Sequence, residues 1–259
     1  MSNRALVTGA SSGIGAAFAR LLAVRGTDLV IVARGRDGLE NLAAELTSRH
    51  RVKVDVVPAD LTNEANLKRV EDLLADPANN IDLLVNNAGY GSYGAFAELD
   101  IDTEAGQVDL NIRALVRLSH AALGPMLSRN SGAIINISST AGAQPMAYSA
   151  VYAASKAFVT SFTHALTEEL RGTGVQMLAV LPGFTRTEFH ERATDTKGDL
   201  PSIAWMDPED VARIALTQLD RGRHTVIPGA LNQVIVASAT VTPPSISRRM
   251  SAFVSKKFT

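Results

Sequence analysis

Short runs of apolar and often β-branched residues alternate along the chain with longer segments in which apolar positions recur every three or four residues. The short runs predict strands, and several of them, such as Val175 to Leu181, are apolar throughout, which is typical of strands covered on both faces. The predicted strands are Ala5 to Thr8, Leu29 to Ala33, Val52 to Pro58, Leu83 to Asn86, Ala133 to Ser138, Gln176 to Leu181 and Thr225 to Ile227. The longer segments predict helices over Ile14 to Arg25, Gly38 to Arg49, Glu64 to Ala75, about Thr103 to Arg129, about Val151 to Arg171, and Pro208 to Leu219.

This alternation continues to about Gly229 without an internal repeat or a Pro/Gly-rich linker. It predicts one α/β domain over residues 1–229, a Rossmann-type doubly wound fold with a mostly parallel seven-stranded sheet. Residues 230–259 form a tail that breaks the pattern. Beyond Pro244 its apolar residues share one helical face: Ile246, Met250, Phe253 and Val254. We favour a tail packed on the body or a partner subunit over one that contacts a membrane surface.

The composition excludes several classes of function. The chain has 259 residues and a formal net charge of -1, so bulk electrostatics give it no attraction to nucleic acid, and we predict no such partner. It has no cysteine, which excludes disulfides and thiol catalysis and fits a reducing compartment. Its N-terminal apolar stretch is too short for a signal peptide, so we predict a cytoplasmic protein. The five histidines lack metal-ligand spacing, and we predict no metal.

A glycine-rich turn follows the first predicted strand and opens the first predicted helix. Three glycines let the chain turn sharply, let the main chain approach a pyrophosphate and let the helix pack closely on the strand. The helix N-terminus adds N–H groups and a positive dipole. The alternative is a plain strand-to-helix turn with Ser12 as N-cap. The predicted dinucleotide-binding residues of the turn are Gly9, Ser11, Ser12, Gly13, Ile14 and Gly15.

The end of the second predicted strand indicates which dinucleotide binds. NAD-binding domains usually place an acidic residue there to hold the ribose hydroxyls, whereas this chain has Ala33 and Arg34. A guanidinium suits a 2′-phosphate, and Arg36 is close enough in sequence to assist. We therefore predict NADP(H) as the cofactor. The alternative is that both arginines are solvated loop charges.

Tyr152 and Lys156 are four residues apart in a predicted helix, so they lie on one face a single turn apart. A neighbouring ammonium stabilises a phenolate and lowers the tyrosine pKa towards the neutral range. Ser138 and Ser139 end the fifth predicted strand, at the edge where open α/β sheets bind ligands. Serine and tyrosine hydroxyls there would stabilise the negative charge that hydride transfer creates on a carbonyl oxygen. Together these residues predict carbonyl reduction. The alternative for Tyr152 and Lys156, taken without the serine and the glycine turn, is a half-buried pair on one helix.

These motifs resemble those of short-chain dehydrogenases/reductases of the classical type, in the same order and with similar spacing. The resemblance covers Leu6 to about Gly229. It is carried by Thr8-Gly9-x3-Gly13-x-Gly15, Asn86-Asn87-Ala88-Gly89, Asn111, Ser139, Tyr152-x3-Lys156, and Pro182-Gly183 followed by Thr187.

The resemblance implies a role for each matching residue. Tyr152 is then the general acid, Lys156 binds the nicotinamide ribose and lowers the tyrosine pKa, Ser139 holds the substrate oxygen, and Asn111 positions a water in the proton relay. Asp60 and Leu61 would flank the adenine. The adenosine side would be lined by Asn86, Ala88 and Gly89, and the nicotinamide would be held by Pro182, Gly183 and Thr187.

The resemblance also places a mainly apolar substrate cleft between Thr187 and about Pro208. Its cover would include Phe189, His190 and Trp205, with Met146, Tyr148 and Tyr90 as opposite walls. We expect a small-molecule substrate that is an apolar ketone or aldehyde (or the corresponding alcohol), and a homodimer or homotetramer. The alternative function is a non-catalytic NADPH-binding regulatory protein, since a fold alone does not establish activity.

Overall fold

A seven-stranded sheet forms the centre of the protein in a computed structural model that describes residues 4–187 and 204–242. Its strands are β1 (Arg4–Thr8), β2 (Asp28–Ala33), β3 (Val54–Pro58), β4 (Leu83–Asn86), β5 (Gly132–Ile137), β6 (Val175–Val180) and β7 (Thr225–Val226). They are ordered β3-β2-β1-β4-β5-β6-β7, and each neighbouring pair is parallel. The strands β2 and β3 lie on one side of β1, and the strands from β4 onwards lie on its other side. Open α/β sheets bind ligands at such a switch point in the strand order.

Helices cover both faces of the sheet. They are α1 (Gly13–Val24), α2 (Arg36–His50), α3 (Glu64–Ala75), α4 (Ile101–Val108), α5 (Leu115–Ser128), α6 (Ala150–Glu169), α7 (Pro208–Asp220) and α8 (Ala230–Val241). In β1, Ala5 and Val7 pack into the core under α1 and α7, and Leu6 packs into the core under α3 and α5. Side chains of a strand alternate between faces, so one apolar strand serves two cores. The predicted doubly wound α/β fold is confirmed.

Two helical features differ from the prediction. The long helix expected near Thr103 to Arg129 is interrupted at Asp109–Ala114 by a π-helical segment between α4 and α5. An i→i+5 hydrogen-bond pattern leaves no clear mark on apolar periodicity, so the sequence did not show it. Helix α8 was not predicted, because its Val, Ile and Thr residues are as typical of a strand as of a helix.

Parts of the predicted tail and cleft lie outside the described residues. These are the apolar positions beyond Pro244, namely Ile246, Met250, Phe253 and Val254, and the cover residues Phe189 and His190. Within the described part of the chain, none of the helices has the length and apolar character needed to cross a membrane.

Candidate active site

The predicted catalytic residues meet at the carboxyl edge of the sheet. Ser139 follows β5, and α6 carries Tyr152 and Lys156. The close approach of the elements is visible at Gly89, which follows β4: a Cβ atom there would lie 2.8 Å from Oδ1 of Asn111 and 3.4 Å from Nζ of Lys156. The ends of β4 and β5, the segment that holds Asn111, and helix α6 therefore converge on one small volume.

A hydrogen bond joins the side chains of Ser139 and Tyr152. The serine Oγ also accepts a hydrogen bond from the main-chain N–H of Ala141 at 3.1 Å, which fixes the side chain at the start of a short 3-10 turn. Nζ of Lys156 lies 5.7 Å from the centroid of the Tyr152 ring and donates to the Ile137 carbonyl at 2.9 Å. The structure thus brings together the serine, the phenol and the ammonium.

Burial shifts the pKa of both titratable groups. Lys156 is only 5% exposed, and burial lowers its pKa to about 8. Burial also raises the pKa of Tyr152 above its ordinary value, and the hydrogen bond with Ser139 offsets only part of that increase. Desolvation of the phenolate therefore dominates, and the net pKa of Tyr152 is not lowered towards the neutral range as the sequence led us to expect. The contribution of Lys156 to that pKa stays a prediction. A raised pKa keeps the phenol protonated at neutral pH.

Asn111 lies in the π-helical segment and is 2% exposed. Its Nδ2 donates to the Tyr90 carbonyl at 2.9 Å and to Oγ of Ser155 at 3.1 Å, and its Oδ1 accepts from the Tyr90 N–H at 3.2 Å. Ser155 in turn donates to the Tyr152 carbonyl at 2.7 Å. The amide therefore connects the segment after β4 to the catalytic helix. Its predicted contact with a relay water stays a prediction.

Ser138 is a supporting residue whose role the sequence did not show. It ends the fifth predicted strand beside Ser139, but it is 2% exposed, and its Oγ donates to the Lys156 carbonyl at 2.6 Å. It also shares a 2.7 Å hydrogen bond with Oγ1 of Thr160. Ser138 fastens α6 to the end of β5.

The glycine turn has the shape of a phosphate cradle. Gly9 and Gly13 have φ angles of 66° and 55°, which favour glycine, and a Cβ on Gly15 would lie 2.2 Å from the Gly9 carbonyl oxygen. Ser12 is the N-cap residue of α1, but its side chain makes no capping hydrogen bond. The alternative of a plain turn capped by Ser12 therefore loses its main support, and the first N–H groups of α1 suit an anion.

Asn87 is a second residue that sequence reasoning missed. Its Nδ2 donates to the main-chain carbonyls of Thr8 and Gly9 at 3.0 and 3.2 Å. The hydroxyl of Thr8 accepts from the N–H groups of Asn87 and Ala88, both at 3.0 Å. These contacts hold the glycine turn against the end of β4. The Asn-Asn-Ala-Gly motif contained the signal, but it did not show which asparagine makes the contact.

Asn86 is directed into the core. Its Nδ2 donates to Oγ of Ser119 at 3.0 Å and to Oδ1 of Asn136, its register partner on β5, at 2.9 Å. Its Nδ2 is therefore used within the protein, and the predicted contact of Asn86 with the adenosine side stays a prediction. Together with Leu61 and Ala88, Asn86 lines a cavity of about 10 Å³, room for roughly one water.

Arg34 and Asp60 follow β2 and β3 at the same edge. Arg34 is exposed. Burial acts to raise the pKa of Asp60, but hydrogen bonds from Thr62 and the charge of Arg34 outweigh it and hold the pKa below its ordinary value. Arg36 forms an ion pair with Glu40 at 3.2 Å on its own helix, so its predicted assistance to Arg34 competes with that contact. Arg34 remains the better candidate for a phosphate ligand.

The residues expected at the nicotinamide occupy two places. Pro182 and Gly183 follow β6 beside Ser139, whose Oγ is 3.5 Å from the Pro182 carbonyl oxygen. Thr187 lies over the glycine turn, because its Cγ2 would be 2.9 Å from a Cβ on Gly13. The structure therefore places Thr187 beside the phosphate cradle.

Two aromatic pairs lie on the expected substrate side. The rings of Tyr93 and Tyr148 are 6.2 Å apart between centroids, and those of Phe184 and Trp205 are 5.5 Å apart. Tyr148 has a φ of 64°, which is a strained conformation for an aromatic residue. The hydroxyl of Tyr90 donates to the Thr103 carbonyl at 2.7 Å, so this wall residue is tied to α4.

A doubly wound parallel sheet with a glycine turn after its first strand is typical of proteins that bind a dinucleotide. The chain belongs to the short chain dehydrogenase family, whose sequence model matches residues 3–198. Sulfoacetaldehyde reductase 2 of Chromohalobacter salexigens is 40% identical over 191 residues, covering 73% of this chain and 75% of that protein.

Two solved structures are similar over nearly the whole chain. A short-chain dehydrogenase from Sphingobium yanoikuyae in complex with NADPH is 36% identical, with a TM-score of 0.84 and coverage of 98% of this chain and 93% of that one. A bulky-bulky ketone specific alcohol dehydrogenase from Comamonas testosteroni is 34% identical, with a TM-score of 0.80 and coverage of 93% and 95%.

Proposed function

We propose that the protein is an NADP(H)-dependent reductase of ketones or aldehydes, which also oxidises the corresponding alcohols. The observation that carries the proposal is the convergence of Ser139, Tyr152 and Lys156 beside the glycine turn. Dinucleotide binding alone would not require these three side chains together, so they favour an enzyme over a non-catalytic NADPH-binding regulator.

The choice of NADP(H) rests on Arg34. An exposed guanidinium follows β2 where an NAD-binding protein usually has a carboxylate. The glycine turn would hold the pyrophosphate on the N-terminus of α1, and Arg34 would pair with the 2′-phosphate. Lys156 would contact the nicotinamide ribose, Pro182 and Gly183 the nicotinamide ring, and Thr187 the adjoining phosphate or amide group. The similar Sphingobium yanoikuyae structure contains NADPH.

NADPH would supply the hydride when bound. The hydroxyls of Ser139 and Tyr152, already joined by a hydrogen bond, would converge on the substrate carbonyl oxygen and stabilise the charge that develops there. Tyr152 would then give its proton to that oxygen, which its raised pKa allows because the phenol is protonated at neutral pH. The Lys156 ammonium would stabilise the phenolate that remains. Alcohol oxidation follows the same steps in reverse.

The substrate is a carbonyl compound with apolar substituents. The Tyr93–Tyr148 and Phe184–Trp205 pairs offer aromatic surface, and Phe184 is 42% exposed. The similar Comamonas testosteroni enzyme is specific for bulky-bulky ketones, which fits this surface. The similarity to a sulfoacetaldehyde reductase makes a small, charged aldehyde the natural comparison substrate.

We also propose a homodimer or homotetramer in the cytoplasm. Phe158 is 39% exposed on α6 and stacks on Phe162 with ring centroids 5.8 Å apart, which gives the helix an apolar outer surface. Exposed apolar patches of this kind often mark subunit contacts. The absence of cysteine fits a reducing compartment.

The test is NADPH consumption by the purified protein over a panel of carbonyl compounds. The panel should contain bulky aromatic ketones, short aliphatic ketones and small acidic aldehydes. We expect turnover with NADPH, fastest on the bulky apolar ketones. Binding of NADPH without turnover on any member would support the regulatory alternative, and tighter binding of NADH than NADPH would refute the role given to Arg34.

A further inference from the structure

Asn232 is a buried polar residue on a helix that otherwise exposes apolar side chains. Leu231 and Val234 of α8 are 47% and 65% exposed, whereas Asn232 between them is 6% exposed. Its Nδ2 donates to the Pro228 carbonyl at 2.7 Å and lies 3.7 Å from Sδ of Met206. Burying an amide costs free energy unless its hydrogen bonds are made, so the partners of Asn232 are informative.

The amide of Asn232 packs directly on the main chain of Gly183. A Cβ on Gly183 would lie 2.2 Å from Oδ1 of Asn232 and 2.6 Å from both Cγ and Nδ2. The φ angle of Gly183 is outside the left-handed region, so its backbone conformation would accept alanine. A side chain at position 183 would therefore have to displace the amide of Asn232, which occupies its space.

The same turn also contacts the catalytic serine segment. The Pro182 carbonyl accepts a hydrogen bond from the Thr140 N–H at 2.9 Å, and Oγ of Ser139 is 3.5 Å from the same oxygen. The Pro182–Gly183 peptide thus contacts Ser139 and Thr140 through its Pro182 carbonyl and Asn232 through Gly183. A displacement of Asn232 would be transmitted through one short turn to the catalytic serine.

We infer that Asn232 is a positioning residue of the active site: through Gly183 it holds the Pro182–Gly183 turn at the place where Ser139 and the nicotinamide ring would meet. The inference rests on the proposed function, because it concerns the same reaction. It assigns to α8, outside the predicted domain of residues 1–229, a part in hydride transfer. Small displacements of reacting groups have large kinetic effects, which makes the role measurable.

A double-mutant cycle between positions 183 and 232 tests this role. Gly183→Ala creates the overlap with Asn232 and should lower kcat roughly 10- to 100-fold. Asn232→Ala removes the support and should lower kcat roughly 10-fold, with little change in the dissociation constant of NADPH, whose affinity depends mainly on the adenosine and phosphate groups. In the double variant, the alanine methyl at 183 takes the vacated space, so kcat should recover relative to Gly183→Ala.

Two readouts separate positioning from a merely structural role. With NADPH deuterated at C4, the isotope effect on kcat should increase in Asn232→Ala, because hydride transfer becomes slower relative to the other steps. The fluorescence of bound NADPH reports on the nicotinamide without turnover, and it should change in the same variant. Val234→Ala, on the exposed side of α8, is the matched control and should change neither.

The outcomes are distinct. An Asn232→Ala protein with wild-type kcat, isotope effect and NADPH fluorescence would overturn the inference, as would a loss of kcat explained by the unfolded fraction alone in thermal melts. Failure of the double variant to recover relative to Gly183→Ala would also overturn it. If the wild type binds NADPH but reduces no carbonyl compound, the proposed function fails, and the fluorescence comparison still decides whether Asn232 positions the nicotinamide.

Discussion

Burial favours the neutral forms of both titratable residues at the catalytic centre. It lowers the pKa of Lys156 to about 8 and raises that of Tyr152. At neutral pH the phenol therefore keeps its proton, and the lysine is still mostly an ammonium. In carbonyl reduction Tyr152 would therefore have a proton to give, and Lys156 would keep the positive charge that stabilises the resulting phenolate.

Removal of the Tyr152 hydroxyl should abolish nearly all turnover. General acids typically contribute a factor of about 10² to 10⁴, so we expect Tyr152→Phe to lower kcat by at least the smaller of these factors. The dissociation constant of NADPH should change little, because the ring and the Lys156 contact with the Ile137 carbonyl are kept. Steady-state kinetics and NADPH fluorescence titration measure the two quantities. Full activity in this variant would exclude Tyr152 as the proton donor.

Lys156 should give the cofactor-free protein a specific pH dependence of stability. Its pKa falls from 10.5 to about 8 on folding, so between these values the unfolded chain binds more protons than the folded one, and stability rises with pH. Below about pH 8 both forms are protonated, and the cost of burying the ammonium is constant. The free energy of unfolding of the wild type, minus that of Lys156→Met, should rise by at most about 1.4 kcal/mol per pH unit across this window.

Urea unfolding of the two proteins at neutral and alkaline pH makes this comparison. Other titrating groups are common to both proteins and largely cancel in the difference. A difference that stays flat up to about pH 10 would show that Lys156 is not desolvated in the folded state.

The catalytic elements were predictable from sequence to different degrees. Strands β5 and β6 are short apolar runs, and the i,i+4 spacing of Tyr152 and Lys156 fixed their common face on α6. The π-helical segment around Asn111 and the contact of Asn232 with Gly183 had no such signal. The π-helical segment changes a hydrogen-bond register without changing the apolar pattern. The contact between Asn232 and Gly183 joins residues 49 positions apart in the sequence.

Close packing of the short turn after Ser139 against α6 should be essential to the site. A Cβ on Gly142 would lie 2.6 Å from the Ala157 nitrogen and 2.7 Å from the Lys156 carbonyl carbon. Both are main-chain atoms of α6, so neither can move aside by a rotamer change. Gly142→Ala should therefore separate the turn from the helix, lowering stability by about 1 to 3 kcal/mol and lowering kcat as well.

The matched control is Gly124→Ala on α5, where a Cβ would meet no atom within 4 Å. Alanine is the better helix former, but a Cβ directly before Pro125 is disfavoured in helical geometry, so this variant should stay within about 1 kcal/mol of the wild type. Urea unfolding and steady-state kinetics compare the two. Equal behaviour of Gly142→Ala and Gly124→Ala would show that the turn and α6 do not need this close contact.

At the scale of the whole molecule, the sequence predicted the parallel sheet and the helices that cover both of its faces. It did so because alternating βα units have few ways to bury strands that are apolar on both faces. It did not predict which polar residues face inward. Asn86 and Ser138 look like ligand-binding residues in the sequence, yet their side chains form hydrogen bonds within the protein interior.

Cofactor binding should stabilise the entire domain, because its predicted contacts come from several strand ends. A ligand present at about 100 times its dissociation constant contributes roughly 2.7 kcal/mol to the stability of the folded state. NADPH should therefore raise the melting temperature more than NADH at equal concentration.

Arg34→Ala should reduce the NADPH shift towards the NADH value, because the charge-assisted contact with the 2′-phosphate is lost. Arg36→Ala is the control, and since Arg36 pairs with Glu40, its NADPH shift should stay close to that of the wild type. Equal shifts for NADPH and NADH in the wild type would remove the basis for NADP(H) preference while leaving the catalytic assignment of Ser139 and Tyr152 intact.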